Sequence, residues 1–136
     1  MSTGLDTSVV LRLLIGEPKV QAAAARAFIE RATSSGDGPP AVSDLVVAES
    51  YHALVHHYRV PHPEAVHALQ RLVSGAQVRA TGAARQVLDA NVKTESGFVD
   101  RLIHADYDAV GLATATFDRR MARLHDARLL GARAGP

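Results

Sequence analysis

Asp6, Glu49, Asp100 and Asp118 each stand among apolar residues, where a carboxylate is costly to bury. Asp6 opens Asp6-Thr7-Ser8-Val9-Val10-Leu11. Glu49 follows Leu45-Val46-Val47-Ala48 and precedes Tyr51 by two positions. Asp100 follows Phe98-Val99 and precedes Leu102-Ile103. Asp118 ends Leu112-Ala113-Thr114-Ala115-Thr116-Phe117. Charges in such settings are usually paired or coordinate metals. The chain has no cysteine, so thiolate sites are excluded and the donors would be hard oxygens. Such donors select Mg²⁺ or Mn²⁺ rather than zinc.

The elements that must position these acids follow from punctuation and propensity. Residues 3–6 read as a short strand and 9–15 as a short helix. Glu17-Pro18 starts an Ala-rich helix over 20–33. Residues 34–40, Ser-Ser-Gly-Asp-Gly-Pro-Pro, form a loop. Ala41-Val42 is a brief strand. Ser43 or Asp44 caps a helix running to about residue 58. Pro61 and Pro63 break the chain, and a helix runs from 63 or 64 to about 74. Residues 77–80 are a strand or turn, and Thr81 caps a helix through Lys93. A helix covers 98–109 and Gly111 ends it. Residues 112–115 are a strand, 119–124 a short helix and 128–130 a last strand. Strands alternating with helices predict an α/β fold with a mostly parallel sheet. The tail from Gly131 is expected to fray.

Composition sets the outer bounds. With 136 residues, one domain over 1–136 is expected. Apolar residues make up 47% of the chain, enough for a core. No apolar run reaches the roughly 18 residues of a membrane span, and no signal peptide is evident. A cytoplasmic protein with no membrane partner is therefore expected. The formal charge of +1 will not by itself draw the protein onto nucleic acid. Lys19 and Lys93 are the only lysines, so the cations are mostly arginine, which suits forked phosphate contacts. Genomic base composition explains the same bias. Aromatics at 4% argue against a stacking platform for single strands.

In open α/β sheets, sites form outside the carboxyl ends of strands. Asp6 and Asp118 both fall just after predicted strands. Glu49 lies over a turn into its helix, on one face with Leu45, His52 and His56. Asp100 lies in the first turn of its helix. Any one of these acids would ordinarily be a cap or a salt-bridge partner; the metal reading rests on all four together.

The same four segments carry a resemblance. Asp6-Thr7-Ser8-Val9-Val10-Leu11-Arg12-Leu13-Leu14 resembles the opening of PIN-domain nucleases. Val42-Ser43-Asp44-Leu45-Val46-Val47-Ala48-Glu49 is similar to their second acidic segment. Gly97-Phe98-Val99-Asp100-Arg101-Leu102-Ile103 resembles the third. Ala115-Thr116-Phe117-Asp118-Arg119 resembles the fourth, where Thr-x-Asp is usual. Size and order resemble the VapC-type toxins of type II toxin–antitoxin systems, over about residues 3–130. The resemblance implies a PIN-like three-layer α/β/α fold with a short, mostly parallel central sheet. It implies a metal-dependent endoribonuclease, often directed at structured RNA such as tRNA. It further implies a homodimer and a cognate VapB-like antitoxin whose peptide arm covers the groove. The helices around residues 20–29 and 45–55 carry apolar surface for such contacts, unless that surface is core. Many relatives have an acid three residues before the third carboxylate, where this chain has Gly97; Glu95 is out of register.

On that resemblance the catalytic set is Asp6, Glu49, Asp100, Asp118 and Thr116. Phosphodiester hydrolysis needs an activated water, charge neutralisation at phosphate and help for the leaving oxygen. One or two divalent ions supply these, paired ions sitting about 3.5–4 Å apart. Asp6 and Asp118 are the candidates for direct metal ligands; Glu49 and Asp100 would complete the shell, directly or through water. Thr116, and Thr7 or Ser8 beside Asp6, could orient water or a carboxylate, or simply bond a turn. Arg119, Arg120 and Arg123 could touch substrate phosphates, or form a solvated face.

Other readings are weaker. His52 and His56 are spaced i, i+4, but no Glu follows His52, so the His-Glu-x-x-His arrangement fails and a surface pair is expected. Glu49-x-x-His52 and Glu64-x-x-His67 resemble di-iron bundle motifs. The turn near residues 60–62 puts them at heights differing by roughly 15 Å, at about 1.5 Å per residue. His104 and His125 have no nameable partner. No nucleophile motif or phosphate loop is visible. The remaining alternative is a non-catalytic module of the same fold that binds RNA or protein.

Overall fold

The computed structural model describes residues 1–91 and 97–131. Lys93, Glu95 and the tail beyond Gly131 lie outside the described residues. Helix α1 is Thr7–Ile15 and ends at Gly16, whose φ of +78° is the left-handed closure glycine adopts freely. Helix α2, Lys19–Ser34, buries Ala22, Ala25 and Ile29, one stripe at helical spacing. Strand β1 is Ala41–Val42. Helix α3 is Asp44–His52, capped by Ser43, whose hydroxyl accepts the Val46 N–H at 3.2 Å. It passes into a wider π turn over Ala53–His57. The helix predicted to run unbroken to residue 58 therefore changes its winding at Ala53, and Tyr58 N–H reaches back to the carbonyl of Ala53.

Helix α4, His62–Ser74, buries Ala65, Val66, Leu69 and Val73. Strand β2 is Arg79–Ala80, helix α5 Ala84–Asn91 and helix α6 Phe98–Ala109. Strand β3 is Thr114–Thr116, a 3₁₀ turn covers Met121–Arg123, and strand β4 is Ala127–Leu129. Leu5, Val10, Ile29, Val42, Val47, Leu54, Leu69, Leu88, Phe98 and Leu102 meet in the core.

The architecture is α/β with short parallel strands, as expected. Residues 3–6 contribute less than a full strand: Gly4 makes one parallel bridge to Ala41. Around it, Leu5 N–H bonds Ala41 O at 2.8 Å and Ala41 N–H bonds Thr3 O at 2.9 Å. Strand β1 then pairs with β2, Ala41 opposite Arg79. Strand β3 pairs with β4 in a separate ladder, Thr114 opposite Ala127. Among the described residues the strands thus form two short ladders. No helix there is long and apolar enough to cross a membrane.

The start of α5 departs from the sequence reading. Thr81 does not cap it; its N–H and hydroxyl both turn to Val42 O, extending the β1–β2 ladder. The cap comes from α3. Buried Asp44 accepts the N–H of Ala83 at 3.1 Å and of Ala84 at 2.9 Å. Free amides at a helix start favour a carboxylate both as acceptor and as charge. A Cβ on Gly82 would stand 2.4 Å from Asp44 Oδ2, so glycine is what lets the carboxylate approach.

Candidate active site

The apolar neighbours of the four acids in sequence do not surround them in space. Asp6, Glu49 and Asp118 are exposed and Asp100 is half-buried. Among the described residues the buried acid is Asp44. Carboxylates on the surface are open to solvent, substrate or a cation without a desolvation penalty.

Asp6 precedes α1 in extended backbone, φ −78° and ψ 159°. The Ser8 hydroxyl donates to its Oδ2 at 2.9 Å. That bond, followed by the Thr7 amide, holds the carboxyl below its ordinary value; slight desolvation opposes this and the Ser8 amide adds to it. Ser8, rather than Thr7, is therefore the hydroxyl that serves Asp6. Thr7 Oγ1 is buried without a hydrogen-bond partner, as is Ser50 Oγ beside Glu49.

Glu49 shares an exposed face with Leu45, His52 and His56. The two imidazoles stack, 5.7 Å apart and 21° from parallel, as a surface pair. Tyr51, two residues on, turns inward. Its hydroxyl pairs with His62 Nδ1 and its ring lies 5.2 Å from that of Phe98. Burial pushes the Tyr51 hydroxyl above its ordinary pKa. Tyr51 so joins the helix of Glu49 to the start of α6, two residues before Asp100. The sequence offered its position but no role for it.

Asp100 sits in the first turn of α6, where the helix dipole favours a carboxylate. Gly97, at the position where the resemblance leads one to expect an acid, has φ +83°. That left-handed backbone suits glycine and strains an acidic side chain.

Asp118 follows β3. Its N–H bonds Thr116 Oγ1 at 2.9 Å. Its Oδ1 accepts the N–H of Arg120 at 2.7 Å and of Met121 at 3.3 Å. Asp118 thus closes its own turn, the capping role that any one of these acids would ordinarily have. Arg119, Arg120 and Arg123 are exposed on the same turn.

These elements form a packed series: α1 against α3, α3 against α6, and α6 against β3. His104, one helical turn after Asp100, hydrogen-bonds buried Thr114 through Nδ1 at 2.8 Å. His125 pairs with its exposed neighbour Asp126 at 3.0 Å. Lower on α6, Asp106 meets Asp44. The hydrogen bond to Asp44, then burial, then the Asp44 charge push the Asp106 carboxyl up to about 6.

The donor set suits a hard divalent ion in kind: four carboxylates, with hydroxyls beside two of them. The carboxylates are not gathered into a shell, however. Among the described residues no three His, Asp or Glu side chains stand close enough together to hold a metal ion.

A family model for the PIN domain matches residues 5–127, a span that includes all four acids and Thr116. No curated protein and no solved structure matches the chain. The PIN fold is generally that of a metal-dependent nuclease acting on RNA, usually with Mg²⁺ or Mn²⁺. With the match extending over most of its 136 residues, the chain belongs to the PIN-domain family.

Proposed function

We propose that this chain, a single nuclease domain over residues 1–136, is a metal-dependent endoribonuclease and the toxin of a VapC-type toxin–antitoxin pair. The observation that carries the reading is the family match over residues 5–127, a span that contains Asp6, Glu49, Asp100 and Asp118. In this reading Asp6 and Asp118 ligate Mg²⁺ or Mn²⁺, and Glu49 and Asp100 complete the shell directly or through water. Thr116 holds the backbone of Asp118 in place. A divalent ion held there would supply an activated water and charge neutralisation at the scissile phosphate. The Ser8 hydroxyl, which donates to Asp6 Oδ2, orients that carboxylate for the task. The substrate is RNA, with structured RNA such as tRNA the expected class. A VapB-like antitoxin and a second copy of the chain are the proposed protein partners. Exposed Val20 and Leu45 supply apolar surface for them.

One observation favours a second reading. The acids are not gathered into a metal shell among the described residues, as a non-catalytic PIN-fold module binding RNA or protein would permit. A single experiment separates the two. Purified protein is incubated with RNA and Mn²⁺ or Mg²⁺, with and without EDTA, beside Asp6→Asn. Cleavage is expected with metal and not with EDTA. Loss of a partner that only orients a ligand costs about 10–100-fold, and loss of the ligand itself should cost at least the upper end. As a control, replacing His52 and His56 together with Gln should leave cleavage nearly intact, since both are exposed and stacked on each other. Cleavage that survives EDTA, or Asp6→Asn at parental rate, would end the metal-nuclease reading.

A further inference from the structure

We propose that Arg12 and the cavity between α1 and α2 form a nucleotide subsite beside Asp6. The Arg12 guanidinium takes an RNA phosphate that flanks the scissile one, and the cavity takes an attached base. This rests on the nuclease reading above and gives it a substrate contact that needs no metal ion.

The cavity holds about 540 Å³. Gln21, Ala24 and Phe28, on one face of α2, form one wall; Ser8, Val9 and Arg12 of α1 form the other. Among the described residues that line it, Arg12 alone carries a charge. The remaining lining is apolar side chain, hydroxyl and amide. A lone guanidinium beside an apolar space suits a ligand with one anionic group on a flat apolar body. RNA supplies both, as a phosphate and a base.

Arg12 is pre-set for a phosphate. Its Nε donates to Gln21 Oε1 at 2.6 Å, from α1 across to α2. Among the described residues it has no acidic partner, and its two terminal nitrogens make no hydrogen bond. Those nitrogens form a fork that matches two phosphate oxygens. With Nε already held, the side chain has less freedom to lose on binding. Phe28 is half-buried against the core and lines the cavity, so aromatic surface is open to a base. The low aromatic content excludes a platform for many bases, not a seat for one. Ser8 joins the cavity to the acidic site: it lines the cavity, and its Oγ donates to Asp6 Oδ2 at 2.9 Å. From Asp6, the cap of α1, Arg12 lies roughly 9 Å along the axis at about 1.5 Å per residue. Arg12 therefore serves a neighbour of the phosphate that Asp6 faces.

The test measures binding in EDTA. A short fluorescein-labelled single-stranded RNA is titrated with the full chain by anisotropy over a range of salt, beside thermal melts and cleavage of tRNA with Mn²⁺. Arg12→Gln should weaken binding about tenfold or more. It should also lower the slope of log affinity against log salt by about 0.7, the share of one single-strand phosphate contact. Arg12→Lys keeps the charge and should keep the slope, losing only the affinity that the fork adds. Phe28→Leu keeps apolar bulk without the ring; it should lose about fivefold or more in affinity with the slope unchanged. Gln21→Ala should lose less than Arg12→Gln, and the two together should match Arg12→Gln alone. If Arg12→Gln does not fold, Phe28→Leu and Gln21→Ala decide. Parental affinity and slope in Arg12→Gln overturns the subsite, while cleavage by the parent keeps the nuclease reading. Losses that track the melts with no change of slope in Arg12→Gln overturn it too. Parental affinity in Phe28→Leu overturns the seat for a base and leaves the cavity to a protein partner. A parent that cuts tRNA without binding the short RNA overturns the subsite alone. A parent that binds but does not cut overturns the nuclease reading and with it a role beside a scissile phosphate.

Discussion

The ladder of β1 with β2 and the ladder of β3 with β4 are both short, parallel and two-stranded, yet they are held in place by different forces. Ala41 and Val42 are buried, and α1, α3, the π turn after it and α4 supply Val10, Val47, Leu54 and Leu69 to the core that Val42 joins. Around the second ladder the large apolar side chains face solvent: Phe117 is 68% exposed and Leu129 50%. Hydrogen bonds carry more of the burden there, at Thr114, Thr116 and Asp118. The difference divides the proposed site. Asp6, Glu49 and Asp100 stand on elements fixed by the core. Asp118 stands on a segment fixed by directional bonds and few buried side chains.

The largest effect that tests this division is a pair of truncations. Leu69 is fully buried, and Leu69→Ala should cost about 2–5 kcal/mol of stability. Phe117 is the larger side chain but mostly exposed, and Phe117→Ala should stay within ~0.5 kcal/mol. Urea unfolding of the two variants decides between them. A cost for Phe117→Ala comparable to that of Leu69→Ala would mean that the second ladder is covered in solution, and the contrast would fail.

Within the core-held part, Asp44 is a buried carboxylate that caps a neighbouring helix, and its removal should be the next largest effect. Asp44→Ala leaves the Ala83 and Ala84 amides without their acceptor, at about 1–3 kcal/mol. Gly82→Ala forces a methyl against the same carboxylate and should cost about 1–3 kcal/mol. The two costs should not add. Once Asp44 is alanine the methyl at 82 has room, so the double variant should resemble Asp44→Ala alone. Full additivity in urea melts would show that Gly82 matters for a reason other than the approach of Asp44.

Much of the frame was legible because its signals are local. The Ser34–Pro40 loop, the Ser43 cap and the helices over α1, α2, α4 and α6 follow from residues that touch their near neighbours in sequence. The cap of α5 was not legible, because its acceptor lies 39 and 40 residues before its donors. Thr81 offered a plausible local signal and lost to the ladder. The acids illustrate a second limit. Apolar neighbours suggested burial, but Val47 and Glu49 are separated by about 200° around a helix. One can be core while the other is surface. The order of the four acids was readable; their distances were not, since those depend on how α6 meets β3. His104 showed no partner in sequence because Thr114 pairs with it only after the chain turns at Gly111.

The smallest effect concerns a different contact of α6, that of Asp106 with Asp44 of α3, and its sign is fixed by the direction of the shift. The Asp106 carboxyl is raised from 3.8 to about 6 by its hydrogen bond to Asp44, by burial and by the Asp44 charge. The folded state therefore binds this proton more tightly than the unfolded chain. Stability from it is fully present below about pH 3.8 and is lost as pH rises through about 6. Solvent screens this exposed side chain, so the effect should be ~1 kcal/mol or less. Asp106→Asn keeps an N–H donor for Asp44 and carries no charge at any pH. Above pH 6 the variant should be the more stable protein by that amount. Toward pH 4 the two should converge, because the parent is then protonated as well. Other carboxylates titrate in the same range, but they are common to both proteins and cancel in the difference. Urea melts of both at pH 4, 5, 6 and 7 give the curve directly. A difference that is flat across this range would show that Asp44 and Asp106 do not share a proton, and that α6 is held to the core without them.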